Sequence, residues 1–136
     1  MSSAGISYLL ELYDCPSEIL NDETYINAMI GEAVAHANAT LLHQVSHQFS
    51  PQGATALALL AESHISIHTW PELGYAAVDI FTCGRHAMPD QACEYLVTAL
   101  RAGDHTVQRV KRGVGLGIDA SQLRPKPAAE PAALTL

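Results

Sequence analysis

The strongest constraint on the fold of this chain is a succession of short apolar segments in its middle part, separated by turn-forming residues. The segments cover residues 39–49, 54–61, 64–69 and 75–81. Ser-Pro-Gln-Gly at 50–53 and Pro-Glu-Leu-Gly at 71–74 supply the residues that favour tight turns. Short connections of this kind suit neighbouring antiparallel strands. The pattern therefore predicts a meander of β-strands.

Further segments complete the predicted architecture. Residues 6–13, ISYLLELY, favour a first strand, and residues 106–110 a last one. Asn21 or Asp22 can cap a helix, and Pro89 can begin a second one. Apolar residues at three- and four-residue intervals give each helix one buried side, namely Tyr25, Ile26, Met29, Ile30, Ala33, Val34 and Ala37 in the first, and Ala92, Tyr95, Leu96, Ala99 and Leu100 in the second.

Together these segments predict an α+β two-layer sandwich, with two helices on one face of a mostly antiparallel sheet. The other face of such a sheet needs polar residues or a partner. Because strands such as the one at 54–61, ATALALLA, are too apolar to meet water, we expect a homodimer.

Composition excludes several classes of protein. The 136 residues suit one domain, predicted over 1–117, and the Pro- and Ala-rich residues 118–136 suggest a mobile tail. A net charge of −7 without a Lys/Arg stripe argues against nucleic-acid binding. The longest apolar run is far below the ~20 residues of a membrane span. With no visible secretory signal and no close pairing of Cys15, Cys83 and Cys93, we expect a soluble cytoplasmic protein with free thiols.

The segment with most chemical potential is 61–84, AESHISIHTWPELGYAAVDIFTCG. It places a Glu-Ser bond, two histidines, an acidic residue and a cysteine on neighbouring strands. His64, Ser66 and His68 share one strand face by the period of two, and Ser63 begins the other. Spacing alone also allows a structural interpretation, in which the histidines are ordinary strand residues, the serine lies in a turn and the cysteine is buried.

This segment closely resembles the self-processing segment of the bacterial S-adenosylmethionine decarboxylases. The resemblance is carried by ESH at 62–64, IHTWPE at 67–72 and FTCG at 81–84. It extends to YDC at 13–15, FSPQG at 49–53, ACEYL at 92–96 and KRG at 111–113, and so covers about residues 5–113. Length and signature are similar to the small branch of the family that does not depend on metal.

The resemblance implies that the chain cleaves itself between Glu62 and Ser63. Ser63 Oγ would attack the Glu62 carbonyl carbon and convert the amide into an ester. Elimination and hydrolysis would then turn Ser63 into a pyruvoyl group, leaving a β chain, 1–62, and an α chain, 63–136. The family implies that His68 is the base that removes the Ser63 α-proton, and that Thr55, where a serine is more usual, supports processing.

The resemblance also implies the roles of four residues in decarboxylation. The pyruvoyl group at Ser63 would form a Schiff base with S-adenosylmethionine, and Cys83 would protonate the substrate α-carbon after CO₂ leaves. Glu72 is a candidate to bind the ribose hydroxyls, the alternative being a solvent-exposed turn carboxylate. Phe49 is a candidate to stack on the adenine, the alternative being a core aromatic. No pyridoxal phosphate and no metal would be needed, and the product would be the aminopropyl donor of spermidine synthesis.

Other residues and functions carry weaker predictions. His43 and His47 share a strand face but lack a third ligand nearby, so a metal site is not expected. Many family members carry a basic residue and a histidine after the first glycine, where this chain has GISY at 5–8. This departure leaves open a pyruvoyl-dependent arginine or ornithine decarboxylase on the same scaffold. A third hypothesis is an unprocessed subunit that regulates an active partner.

Overall fold

The computed structural model describes residues 3–83 and 86–116, and the tail predicted over 118–136 lies outside this part of the chain. The strands are β1 (Gly5–Tyr13), β2 (Leu41–Gln48), β3 (Ala54–Leu60), β4 (Ser63–Trp70), β5 (Tyr75–Thr82) and β6 (Asp104–Arg112). The α-helices are α1 (Ser17–Leu20), α2 (Glu23–His36) and α3 (Pro89–Ala99), and a 3-10 turn covers Pro71–Leu73. The strands form one sheet in the order β2-β3-β4-β5-β1-β6. Every pairing is antiparallel, which confirms the predicted α+β class.

Helix α2 begins where the sequence predicted. The Asp22 side chain accepts a hydrogen bond from the Tyr25 N–H at 3.1 Å and so caps the first turn. The predicted stripe faces the sheet, with Ile26, Met29, Ile30, Ala33 and Val34 buried. Tyr25 is the exception, because its ring is 40% exposed and its hydroxyl donates to the Ala99 carbonyl at 2.7 Å. It joins α2 to the end of α3 rather than entering the core.

Helix α3 also begins as predicted, with Pro89 in its first turn, where the missing N–H costs nothing. Ala92, Cys93 and Leu96 are its buried residues. The short helix α1 was not predicted, because its four residues are too few to show a helical period. It still contributes to the core, since Leu20 is fully buried.

The core lies between the helices and one face of the sheet. On this face β3 presents small side chains, Ala54, Ala56 and Ala58, all of them buried. Small residues let a helix approach the sheet closely, and α2 packs there. Larger buried side chains from β4, β1 and β5 fill the remaining space, among them Ile65, Ile67, Leu10, Leu12, Val78 and Ile80.

The opposite face of the sheet, here called the open face, carries no helix in the described part of the chain. Strand pairing assigns to it Ser7, Leu9, Glu11, Tyr13, His43, Val45, His47, Thr55, Leu57, Leu59, His64, Ser66, His68, Trp70, Tyr75, Ala77, Asp79, Phe81, Thr106, Gln108, Val110 and Arg112. Several large apolar side chains are exposed here, including Leu57 at 40% and Leu59 at 42%. Within residues 3–83 and 86–116, each helix is too short or too polar to traverse a lipid bilayer.

Candidate active site

The Glu62–Ser63 peptide bond lies in the tight connection between β3 and β4. Strand β3 ends at Leu60 and β4 begins at Ser63, so only two residues make the turn. Ser63 has a φ angle of 148°, a backbone conformation that side-chain-bearing residues rarely adopt. Such a conformation costs on the order of 1–3 kcal/mol and persists only where surrounding contacts hold it. The predicted cleavage point is therefore a strained point of the backbone.

Two hydrogen bonds hold the Glu62 side chain against Thr40, just before β2. The carboxylate accepts from the Thr40 N–H at 2.9 Å and from its hydroxyl at 3.3 Å. The Ala61 N–H donates in turn to the Thr40 carbonyl at 3.0 Å. We call this arrangement the Thr40 clamp. It fixes the residue before the predicted cleavage point from the side of the β3–β4 turn.

The Glu62 carbonyl is held from the other side by Cys83, which follows β5. The Cys83 N–H and its Sγ both lie 3.1 Å from the carbonyl oxygen, and each donates a hydrogen bond to it. Cys83 is only 6% exposed, so these bonds form away from water. Donors directed at a carbonyl oxygen stabilise the negative charge that develops when a nucleophile attacks the carbon. The arrangement can therefore polarise the Glu62 carbonyl.

Ser63 Oγ has one side-chain partner among the described residues. His64 Nδ1 lies 3.5 Å from it, a long contact at the limit of hydrogen bonding. We call Glu62, Ser63, His64 and Cys83 the cleavage cluster. It contains the amide that is predicted to break, the predicted nucleophile, donors for the carbonyl oxygen and a histidine.

Four other predicted residues line a separate cavity of about 310 Å³ at the far end of β4. They are Phe49, Thr55, His68 and Glu72, and we call them the cavity cluster. The Thr55 hydroxyl and His68 Nδ1 are hydrogen-bonded at 2.8 Å across the β3–β4 pair. Phe49 is 48% exposed, so its ring is available to a ligand.

Ser63 and His68, the predicted nucleophile and the predicted base, do not meet within one chain. Ser63 and His68 are separated by five steps along β4, which corresponds to roughly 16 Å at ~3.3 Å per residue. His68 also lies on the open face, opposite to the face on which Ser63 begins the strand. One chain thus provides two parts of the predicted site but not the complete site.

Cys15, Cys93, His43 and His47 lie outside both clusters. Burial, and next the nearby Asp14 carboxylate, raise the pKa of Cys15 to about 11. Burial, and next Asp90, raise the pKa of Cys93 to about 11 as well. His43 and His47 both face the open side, as predicted from their spacing. No group of three or more metal-ligating side chains occurs in the part of the chain that the structure describes.

Thr40 was not predicted from the sequence. It stands 22 residues before Glu62, outside every motif, and only the β2–β3 pairing brings the two together. The Cys83 contact with the Glu62 carbonyl was likewise unpredicted, although Cys83 itself was singled out. A hydrogen bond to a backbone carbonyl leaves no pattern in the sequence.

Comparison with known proteins decides the family. A family model described as S-adenosylmethionine decarboxylase matches residues 6–113, which include both clusters. The chain belongs to the S-adenosylmethionine decarboxylase family. A relative from Parasynechococcus marenigrum (strain WH8102), named S-adenosylmethionine decarboxylase proenzyme, is 58% identical over 108 residues, covering 79% of this chain and 84% of its own. A relative of the same name from Synechococcus sp. (strain WH7803) is 55% identical with the same coverage.

A solved structure agrees with this assignment to the S-adenosylmethionine decarboxylase family. The crystal structure of the adenosylmethionine decarboxylase from Aquifex aeolicus VF5 matches with a TM-score of 0.78 and 38% identity. The match covers 84% of this chain and 94% of that one. None of these three relatives is named for arginine or ornithine, so the comparisons do not favour that alternative.

Proposed function

We propose that this chain is an S-adenosylmethionine decarboxylase proenzyme that cleaves itself between Glu62 and Ser63. The observation that supports this most is the pair of donors from Cys83 on the Glu62 carbonyl, directly beside a serine in a strained conformation. The products would be chains 1–62 and 63–136, which stay associated through the β3–β4 pairing.

The residues around Ser63 fit the formation of a pyruvoyl group from it. Ser63 is half-buried at the start of β4, and the Thr40 clamp and Cys83 hold the preceding residue. Once formed, this group supplies the electron-withdrawing carbonyl that loss of CO₂ from an amino acid requires. Cys83 Sγ stands beside the same peptide, where its thiol can deliver a proton to the substrate α-carbon. We expect neither pyridoxal phosphate nor a metal to be needed.

The cavity cluster suits the nucleoside part of S-adenosylmethionine. The exposed Phe49 ring offers a flat apolar surface for adenine, and the Glu72 carboxylate can accept hydrogen bonds from the ribose hydroxyls. Both residues line the cavity that His68 also lines. The cavity thus offers stacking and hydrogen-bond acceptors at one place.

A homodimer through the open face would complete the site. In a two-fold dimer, equivalent residues approach each other near the axis and residues on either side exchange partners. With the axis near Ser66, His68 of one copy would come close to His64 and Ser63 of the other. The exposed Leu57 and Leu59 on the same face would be buried by the pairing. Each complete site would then contain one cleavage cluster and the cavity cluster of the second copy.

The dimer gives His68 access to the Ser63 α-proton, which it cannot reach within its own chain. The Thr55 hydroxyl, bonded to His68 Nδ1, would orient this ring and fix its tautomer.

The three free cysteines support a reducing compartment such as the cytoplasm.

The activity is tested by release of labelled CO₂ from carboxyl-labelled S-adenosylmethionine, with arginine and ornithine as comparison substrates. The assay contains a metal chelator and no pyridoxal phosphate. The purified wild type is expected to release CO₂ from S-adenosylmethionine alone, and Ser63→Ala is expected to release none. Release from arginine or ornithine instead, or undiminished release by Ser63→Ala, would contradict the proposed function.

A further inference from the structure

The self-cleavage proposed above needs a base for the Ser63 hydroxyl, and this inference rests on that proposed function. An alcohol is a weak nucleophile until a neighbouring group accepts its proton. Within one chain His68 is roughly 16 Å away along the strand, and its Nδ1 is already bonded to Thr55. A second histidine lies much closer to the reacting atom.

His64 Nδ1 is 3.5 Å from Ser63 Oγ, and among the described residues it is the sole side-chain hydrogen-bond partner of that hydroxyl. Neighbouring residues of a regular strand point to opposite faces, so such a contact is unusual. The departure of Ser63 from strand geometry, with φ of 148°, accompanies it. Catalytic hydrogen bonds are often long before the reaction and shorten as it proceeds.

The His64 ring is held in place by its neighbour on β5. Phe81 is its register partner, and the two rings meet edge to face with centroids 6.2 Å apart. The Arg112 guanidinium lies 5.6 Å from the centroid of the same Phe81 ring. His64 itself is half-buried. A ring fixed by packing on one side can present its Nδ1 towards Ser63 on the other.

We propose that His64 is the catalytic base of the first step of self-cleavage, the conversion of the Glu62–Ser63 amide into an ester. The proton of Ser63 Oγ passes to His64 Nδ1 as the Oγ–C bond forms at the Glu62 carbonyl carbon. The Cys83 N–H and Sγ–H stabilise the negative oxygen. The C–N bond then breaks, and His64 returns the proton to the departing Ser63 nitrogen, which becomes a free amine.

Two different histidines then carry out the two proton transfers of self-processing. His64 acts within its own chain on the hydroxyl proton, before the amide C–N bond breaks. His68, from the second copy, acts later on the α-proton of the ester. Each histidine is therefore linked to a different intermediate, and a chemical trap can tell them apart.

The experiment compares His64→Ala, His64→Gln and His68→Ala with the wild type, and uses His105→Ala as a control. His105 is an exposed histidine of β6 that lies outside both clusters. Cleavage is followed in freshly synthesised chains by denaturing mass spectrometry. Hydroxylamine, which cuts an ester at this position, is added to parallel samples.

Both His64 variants are expected to cleave about 100-fold more slowly than the wild type, the usual contribution of a general base, and to yield no hydroxylamine-sensitive chain. His68→Ala is expected to accumulate ester, so that hydroxylamine releases a C-terminal chain beginning with serine. Free imidazole should partly restore cleavage of His64→Ala, which a purely structural role would not allow. His105→Ala should cleave like the wild type.

Cleavage of a folded His64 variant at the wild-type rate would overturn the proposal, as would accumulation of ester in that variant. If His64→Ala fails to fold, His64→Gln, which keeps a similar size and hydrogen-bonding capacity, decides the question. A wild type that stays uncut would instead refute the proposed function, so the two failures are distinguishable.

Discussion

At the scale of single residues, several side chains contact the Glu62–Ser63 peptide bond and the residues that it joins. Thr40 holds the Glu62 side chain, Cys83 holds its carbonyl, and His64 contacts the Ser63 hydroxyl. These contacts come from three different places in the chain. Together they can keep Ser63 in a conformation that an isolated peptide would leave.

The thiols of Cys15 and Cys93 should be unreactive at neutral pH. Their pKa values of about 11 mean that the reactive thiolate is scarce below pH 9, and both side chains are buried. Iodoacetamide at pH 8 is therefore expected to alkylate them slowly in the folded protein and rapidly after denaturation. Peptide mass spectrometry measures both rates. Equal rates before and after denaturation would contradict the burial and the raised pKa values of these two thiols.

The raised pKa values of the same two thiols should make stability depend on pH. An unfolded thiol ionises near pH 8.5, whereas these two keep their protons in the folded chain until about pH 11. The folded state therefore binds more protons between these values, and the free energy of unfolding should fall as pH rises through this window. Urea unfolding of Ser63→Ala with and without Cys93→Ala tests this, because removing one thiol should make the fall shallower.

At the scale of elements, the buried hydroxyl of Thr69 ties β4 to its surroundings. It accepts a hydrogen bond from the Ala54 N–H at 2.9 Å and donates to the Leu20 carbonyl at 2.7 Å. Thr69 is only 7% exposed, so water cannot easily replace these bonds. The hydroxyl connects β3, β4 and α1 next to the cavity cluster.

Replacing Thr69 by valine should lower the free energy of unfolding by about 1–3 kcal/mol, because the shape is kept while buried polar groups lose their partner. Urea denaturation in the Ser63→Ala background, where the chain is expected to stay whole, measures the change. Thr98→Val, at an exposed position on α3, is the matched control and should change stability by less than about 0.5 kcal/mol. Equal losses in the two variants would show that the buried hydrogen bonds contribute little.

The elements also show what the sequence could predict. Alternating apolar residues located β3, β4 and β5 within a residue or two, because a sheet with one buried face imposes that period. Strand β6 covers Asp104–Arg112, whereas the prediction covered only 106–110. The extra residues at its two ends were missed because they are polar and show no alternation of apolar and polar side chains. The Thr40 clamp was missed for a different reason. It depends on a contact between distant segments, which only the folded sheet creates.

At the scale of the whole molecule, the separation of the two clusters predicts that cleavage requires two chains. Ser63→Ala lacks the nucleophile and His68→Ala lacks the base, so neither variant alone should form the two products. Co-expressed, they can form a mixed dimer in which His68 of one chain serves Ser63 of the other. The His68→Ala chains are then expected to be cut.

The matched control for this experiment replaces Ser63→Ala by the double variant Ser63→Ala, His68→Ala, which cannot supply the base. Cleavage should disappear in that mixture. The two variants carry different affinity tags, so the mass of each cleavage product shows which chain it came from. If mixtures with the single variant also remain uncut, while wild-type chains cleave, His68 does not act across a dimer.

Self-cleavage at Ser63 can be tested by measuring the intact mass of the purified wild type beside that of Ser63→Ala under denaturing conditions. We predict two fragments in the wild type, 1–62 and 63–136, the second lighter by one ammonia than a chain that begins with serine. Ser63→Ala should give one uncut chain. A single full-length chain in both samples would contradict the proposed cofactor and the catalytic roles that depend on it.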